Sequence, residues 1–256
     1  MAKTGKSALL HTDFMRVDGR RVPVFVRHNP RAERIIVRVD LATGAVQITA
    51  PTRRGFNQAM LFAYQQKDWI ARRLKEVPPL VPFGHRARIP FRGRDHVIRH
   101  VGETREDGLR HGPVWRVRAA DVGRRSPEIH VTGHGEFVAR RVRDWLIGQA
   151  REELTARVFD YADMFALKPS RITVRDQTTR WGSCSPSRAL SFSWRLIMAP
   201  SYVLDYVTAH EVVHLRHMNH GPRFWAMLEE AIPNMTPAKR WLEQHGPSLH
   251  RYGAET

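Results

Sequence analysis

Residues 210 to 220 read His210-Glu-Val-Val-His214-Leu-Arg-His-Met-Asn-His220. An α-helix turns once every 3.6 residues, so His210 and His214 project from one face, a turn apart, where two imidazoles can bind one metal ion. Glu211 lies beside the first of these histidines. The HExxH spacing is typical of zinc peptidases in which the glutamate is the general base. The motif therefore predicts a Zn²⁺ site that hydrolyses peptide bonds through a metal-activated water, with Glu211 as the catalytic residue.

The third metal ligand has several candidates. Catalytic zinc commonly keeps three protein ligands and one open position for water. His217 shares the helical face of the first two histidines, but three ligands from one straight helix spread along its axis and close a tetrahedron poorly. His220 follows the expected helix end and can approach from another direction, so it is the predicted ligand. Glu229 or Glu230 on the next helical segment is the remaining alternative, because His₂Glu sets also bind zinc.

The bulk composition restricts the kind of protein. A chain of 256 residues with 42% hydrophobic content can bury a sizeable core. The single cysteine, Cys184, excludes an intramolecular disulfide and any cysteine-rich zinc site. We interpret Cys184 as a small packing residue. The N-terminal residues lack the apolar run of a signal peptide, and no stretch approaches the length of a membrane span. We therefore expect a cytoplasmic protein that does not contact a membrane.

The positive charge is unevenly distributed. The formal net charge is +17, and residues 1–130 hold 26 Lys and Arg against 12 Asp and Glu, whereas residues 131–256 hold 16 against 13. A basic surface favours acidic partners such as nucleic acid. The competing interpretation is compositional, because arginine outnumbers lysine 36 to 6 and is scattered along the chain. Contact with nucleic acid through the basic N-terminal half remains an open expectation.

The pattern of apolar residues predicts an α+β fold. Short alternating or β-branched runs predict a β-rich N-terminal subdomain over residues 1–133, with one helix from about 55 to 77 and a mobile loop at 102–112. A composition change near residue 133 marks the expected boundary of a second domain, residues 134–256. That domain opens with a helical pattern of one or two helices, continues with three strand-like runs, and then enters the motif helix after Pro200. The corresponding ranges are 136–165 for the helical pattern and 172–175, 178–185 and 189–196 for the strands.

Residues around the motif resemble a known family. The residues that carry the resemblance are Thr179-Arg-Trp-Gly-Ser-Cys-Ser185, Trp194-Arg-Leu196, His210-Glu-Val-Val-His-Leu215, Asn219-His220 and Phe224-Trp225, with a weaker match at Arg34–Asp40 and Trp69-Ile70. Together they are similar to the YgjP-like zinc metallopeptidases, relatives of the SprT-like and WLM peptidases of the zincin group. The resemblance implies a zincin-like metallopeptidase domain with a small sheet packed on the HExxH helix. It also implies zinc bound by His210, His214 and His220, with Glu211 catalytic.

The same resemblance implies that the Trp181–Cys184 segment runs close to the site. Arg180, Trp181 and Gly182 are the predicted substrate-binding residues, and a sheet edge there would hold an extended protein or peptide by strand addition. The developing oxyanion needs a further donor, for which Arg180, Tyr206 or a tyrosine from elsewhere in the chain are the candidates. Two alternatives stay open. One is a DNA-associated, SprT-like protease recruited by the basic N-terminal half, and the other is a non-catalytic module with a structural zinc.

Overall fold

The computed structural model describes residues 8–40, 44–52, 54–77, 79–102, 112–123, 126–177 and 180–253. The chain divides into two compact units, Met1–Pro79 and Leu80–Thr256. This division differs from the expected boundary after residue 133, because strands between residues 88 and 131 share a hydrophobic core with the long helix that follows them. Most of the expected loop at 102–112 and the first two residues of the predicted strand 178–185 lie outside the described residues.

The first unit is a four-stranded sheet with two helices packed on one face. Its strands are β1 (Ala8–Val17), β2 (Arg20–His28), β3 (Ile36–Val39) and β4 (Val46–Ala50), and its helices are α1 (Phe56–Gln65) and α2 (Lys67–Lys75). The strand order is β1-β2-β4-β3, with β2 and β4 parallel and the other pairs antiparallel. Alternate strand residues pack with the helices in one core. The single helix predicted for 55–77 is interrupted at Gln66, whose ψ of 16° departs from helical geometry.

The second unit begins with a sheet of the same topology. Strands β5 (Arg88–Phe91), β6 (Arg94–His100), β7 (Val114–Val117) and β8 (Glu128–Val131) are ordered β5-β6-β8-β7, and the pairing directions repeat those of the first sheet. The helix α3 (Val138–Met164) follows as one continuous helix of 27 residues. Its fully buried side chains recur every four residues and join the core of this unit: Val138, Val142, Leu146, Ala150, Leu154, Val158 and Ala162.

A third, smaller sheet leads into the motif helix. It contains β9 (Arg171–Arg175), β10 (Gly182–Cys184) and β11 (Ala189–Ser193) in the order β10-β11-β9, so that β10 is an edge strand. The strand predicted for 189–196 ends at Ser193, where the chain enters a buried 3-10 turn, Trp194–Met198. The remaining helices are α4 (Ser201–Val213), α5 (Pro222–Ala231) and α6 (Thr236–His245), followed by a 3-10 segment, Gly246–Arg251. No helix in the described ranges is long and apolar enough to cross a membrane.

Buried arginines connect these elements. The guanidinium of Arg195 binds both carboxylate oxygens of Asp176, at 2.8 and 3.2 Å. It also donates to the carbonyl oxygens of Leu249 and Tyr252, at 3.0 and 2.8 Å. Because a buried guanidinium needs several acceptors to offset its lost hydration, this set of bonds secures residues 249–252 against the third sheet.

The motif helix is anchored at its first turn. Arg157 of α3 donates to the Asp205 carboxylate at 2.7 Å and to the Ser201 hydroxyl at 2.8 Å. Asp205 is thus a structural partner of α3, and its carboxylate is engaged away from the histidines of the motif.

His96 in β6 is a buried, neutral histidine. The residue is only 1% exposed to solvent. The Nε2 atom lies 3.0 Å from Arg116 Nε, which can only donate, so Nε2 accepts and Nδ1 donates to the Arg94 carbonyl oxygen at 2.8 Å. Burial, the largest cause, lowers the pKa of His96 below its usual 6.5.

We expect His96 to make the free energy of unfolding depend on pH. Because its pKa is lowered in the folded state, the unfolded chain binds the proton first as pH falls below about 6.5. The stability that neutral His96 contributes is complete above that value and is lost as pH falls through the folded pKa, by at most ~1.4 kcal/mol per pH unit. Denaturant unfolding of wild type and His96→Gln between neutral and mildly acidic pH measures this. An identical pH slope in the two proteins would contradict the assignment.

Candidate metal centre

The three histidines predicted as ligands converge on one point. The Nε2 atom of His210 lies 3.2 Å from Nε2 of His214 and 3.1 Å from Nε2 of His220. The ligand atoms of all three residues lie within 4.8 Å of one another. His210 is near the end of α4, His214 directly follows that helix, and His220 comes just before α5. The structure therefore brings these three side chains together from two directions.

A chain reversal after α4 makes this convergence possible. The Nδ1 atom of His214 lies 2.9 Å from the His217 carbonyl oxygen and must donate to it, which leaves Nε2 of His214 as the electron-pair donor. His217 thus takes part through its backbone, and its imidazole is not in the cluster. Nδ1 of His210 is buried and has no hydrogen-bond partner within the described part of the chain.

Two aromatic residues at the start of α5 hold the imidazole rings. The fully buried Phe224 ring lies 4.6 to 5.0 Å from all three histidine rings, centroid to centroid. Trp225 stacks on His220 at 5.6 Å. This Phe-Trp pair was predicted only as part of a family resemblance, with no role of its own. Its closeness in sequence to His220 was the available signal.

The electrostatics of the cluster favour neutral imidazoles. Burial lowers the pKa of His210 to about 3, with His214 and His220 as further causes. Burial likewise lowers the pKa of His214. Neutral imidazole is the form that binds a metal, so these histidines need not lose protons to do so near neutral pH. Burial acts oppositely on Glu211, which is 6% exposed, and raises the pKa of its carboxyl to about 7, although Arg180 opposes the shift.

The cluster fits a tetrahedral zinc ion. Zn–N bonds of about 2.0–2.1 Å in tetrahedral geometry separate two ligand nitrogens by roughly 3.3 Å. The two Nε2 separations of 3.1 and 3.2 Å are close to that value. His217, Glu229 and Glu230 do not join the cluster among the described residues. The donor set is therefore three imidazole nitrogens, which suits zinc and other divalent transition metals.

A cleft of about 520 Å³ opens over the histidines. Strand β10 forms one wall, through Gly182, Ser183 and Cys184, and Glu211 lies between that wall and the cluster. A Cβ atom built on Gly182 would lie 2.5 Å from Cγ and 2.7 Å from Oε1 of Glu211, so the carboxylate packs directly on the glycine backbone. Burial and the Glu211 charge raise the pKa of the Cys184 thiol to about 11, which disfavours the reactive thiolate.

The remaining predicted site residues separate into two groups. Arg180 and Gly182 line the cleft. Trp181 instead stacks on His250, with ring centroids 5.4 Å apart, and a Cβ on Gly246 would lie 3.1 Å from its indole. Tyr206 is buried, and its ring centroid is 5.9 Å from that of His210, but it does not line the cleft.

The chain is similar to known metallopeptidases. A family model described as YgjP-like, metallopeptidase domain matches residues 33–245. The crystal structure of the metallopeptidase zymogen of Pyrococcus abyssi abylysin is similar over 40% of this chain and 99% of that chain, with a TM-score of 0.33 and 16% sequence identity. No curated protein is a significant match. Because the family match spans most of the sequence, including the histidine cluster, the chain belongs to the YgjP-like metallopeptidase family.

Proposed function

We propose that this protein is a zinc-dependent peptidase in which His210, His214 and His220 hold the metal and Glu211 is the general base. The convergence of three Nε2 atoms beside a buried carboxylate, at the floor of an open cleft, is the observation that carries the proposal. A bound ion of this kind supplies a Lewis acid that polarises a carbonyl group and lowers the pKa of water.

Glu211 performs the proton transfers. Burial raises the pKa of its carboxyl to about 7, and a bound cation would lower that pKa again, which favours the ionised form that accepts a proton. It takes a proton from the attacking water and delivers it to the leaving amine. The Gly182 backbone holds the carboxylate on the cluster side of the cleft, so the general base is already positioned for the reaction.

The substrate is an extended protein or peptide segment. The edge strand β10 borders the cleft. Among the described strands it pairs with β11 alone, along one of its two edges. A peptide chain added along the other edge would pass over Glu211. Arg180 lines the cleft and is exposed, so it is better placed than the buried Tyr206 to bind the developing oxyanion.

The open cleft favours catalysis over a purely structural metal. Structural zinc sites are closed by four protein ligands, whereas catalytic sites keep one position open. Three histidines form this cluster, and the rival ligands His217, Glu229 and Glu230 lie outside it in the described chain. The DNA-associated alternative concerns the basic N-terminal half and not the chemistry of the cleft.

Replacing Glu211 by Gln should abolish peptidase activity while the metal stays bound. The amide keeps the shape of the side chain but cannot accept the proton of water, which costs on the order of 10²- to 10⁴-fold in rate. Cleavage of an unfolded protein and the metal content of the purified variant measure the two effects. Glu229→Gln, an exposed carboxylate on α5, is the matched control and should remain active. Activity of Glu211→Gln equal to wild type would reject the assignment.

Metal content should distinguish the two histidines that follow His214. His220→Ala removes one of three ligands, so the purified variant should contain far less zinc than wild type. His217→Ala keeps the carbonyl oxygen that orients His214 and should retain the metal. Elemental analysis of both variants after identical dialysis tests the ligand set. Zinc loss from His217→Ala with retention by His220→Ala would reverse it.

Gly182→Ala should reduce activity without releasing the metal. The added methyl group would lie 2.5 Å from Cγ of Glu211, so the carboxylate must move. A misplaced catalytic group costs roughly 10²-fold in rate. Gly148→Ala on α3 is the matched control, because no atom lies within 4 Å of its added Cβ. Equal turnover by wild type and Gly182→Ala would show that the contact does not position Glu211.

A further inference from the structure

The first sheet has one face that the helices leave open. Side chains alternate between the two faces along each strand, so the residues between the buried ones point to the open face. The strand register aligns these outward residues across all four strands. We call this surface the outer face; its members are Leu9, Thr12, Phe14 and Arg16 of β1, Arg21, Pro23, Phe25 and Arg27 of β2, Gln47 and Thr49 of β4, and Ile36 and Arg38 of β3. Phe14 is 43% exposed. The outer face thus combines two phenylalanines with four arginines.

The arrangement of charge on the outer face is unfavourable in the free protein. Arg16 and Arg21 are directly opposite each other in the β1–β2 pair. Like charges at opposed positions of a sheet destabilise it, and none of the outward strand positions holds a carboxylate. Asp40, just beyond β3, lies at the margin and accepts a hydrogen bond from Gln47 at 3.4 Å. A bound anion would relieve the repulsion between the two arginines.

The second sheet offers an internal comparison, since its topology is the same. There the buried Glu128 carboxylate lies on the sheet and accepts from Arg99 at 2.8 Å and contacts His130 at 2.8 Å. Arg99 of the second sheet is therefore paired with a carboxylate within the protein. For Arg16, Arg21 and Arg38 of the outer face, no ion pair occurs in the described part of the chain. The charge of the outer face is available to a partner.

The aromatic residues specify the kind of anion. The guanidinium of Arg21 lies 3.8 Å from the centre of the Phe14 ring, which forms a stacked cation–π pair. Phe25 is in the same cross-strand row as Thr12, Gln47 and Arg38. Unpaired bases stack on such rings while arginines bind the phosphates, whereas the bases of a duplex are stacked on one another and hidden from such rings.

We infer that the outer face binds single-stranded nucleic acid, with Phe14 and Phe25 stacking bases and Arg16, Arg21, Arg27 and Arg38 contacting the backbone. This function is separate from the peptidase proposal, and it would persist in a variant that lacks the catalytic base. The Gln47 side chain lies between Phe25 and Arg38 in the register, Thr12 is beside Phe25, and Thr49 is beside Arg27, so hydrogen-bonding groups are available to base edges.

Fluorescence anisotropy of the full chain tests the inference with labelled single-stranded oligothymidine and oligouridine longer than about 16 nucleotides. We expect binding at about 100 mM salt, weaker binding of a duplex, and at least roughly fivefold weaker binding by Phe14→Ala, because stacking is worth ~1–3 kcal/mol per base. Arg38→Ala should lower the slope of log affinity against log salt by about 0.7. The relative affinity for the two oligomers separates DNA from RNA as the source.

Arg72→Ala is the matched control, because it removes the same charge from an exposed position on α2, on the helix side of the unit. It should bind as wild type does. The inference is overturned if single strands do not bind, if Phe14→Ala binds unchanged, if Arg72→Ala weakens binding as much as Arg38→Ala, or if polyglutamate competes as well as unlabelled single strands. Circular dichroism of each variant excludes unfolding as the cause of a loss. Normal binding by Glu211→Gln would separate this result from any failure of the peptidase proposal.

Discussion

The meeting of three imidazole nitrogens at one point is the constraint on which the second unit depends. Nitrogens about 3 Å apart require neutral rings, and burial supplies that condition for His210 and His214. The rings also need fixed orientations, which Phe224 and the His217 carbonyl oxygen provide. A helix alone could not do this, because the third ring must come from chain that has already turned back. Arg157 and the α3 core then fix where the helix begins.

The sequence was sufficient to predict which three histidines converge, because helical periodicity and the limits of tetrahedral coordination are local rules. They placed His210 and His214 on one face and preferred His220 to His217, and these are the three residues that the structure brings together. The position of Trp181 was beyond such rules. Its predicted contact with substrate came from the family resemblance, whereas its ring packs on Gly246 and His250, more than sixty residues later. Long-range packing of this kind leaves no periodic signal.

The fold was predictable at the level of class and of most elements, but not of unit boundaries. The composition change near residue 133 coincides with the start of a long helix, and it does not separate cores, because β5 to β8 pack with α3. The repeated strand order of the two four-stranded sheets was likewise hidden from the sequence, since their residues differ. One sheet pairs Arg99 with the buried Glu128, and the other exposes arginines beside phenylalanines. Two sheets with the same strand topology therefore carry different surface chemistry.

The site region depends on residues that come late in the sequence. Arg195 binds Leu249 and Tyr252, and Trp181 packs on Gly246 and His250. A ribosome releases the chain from its N-terminus, so the three histidines emerge before the residues that support β10 from behind. The cleft wall at β10 thus depends on residues that are synthesised after the histidine cluster.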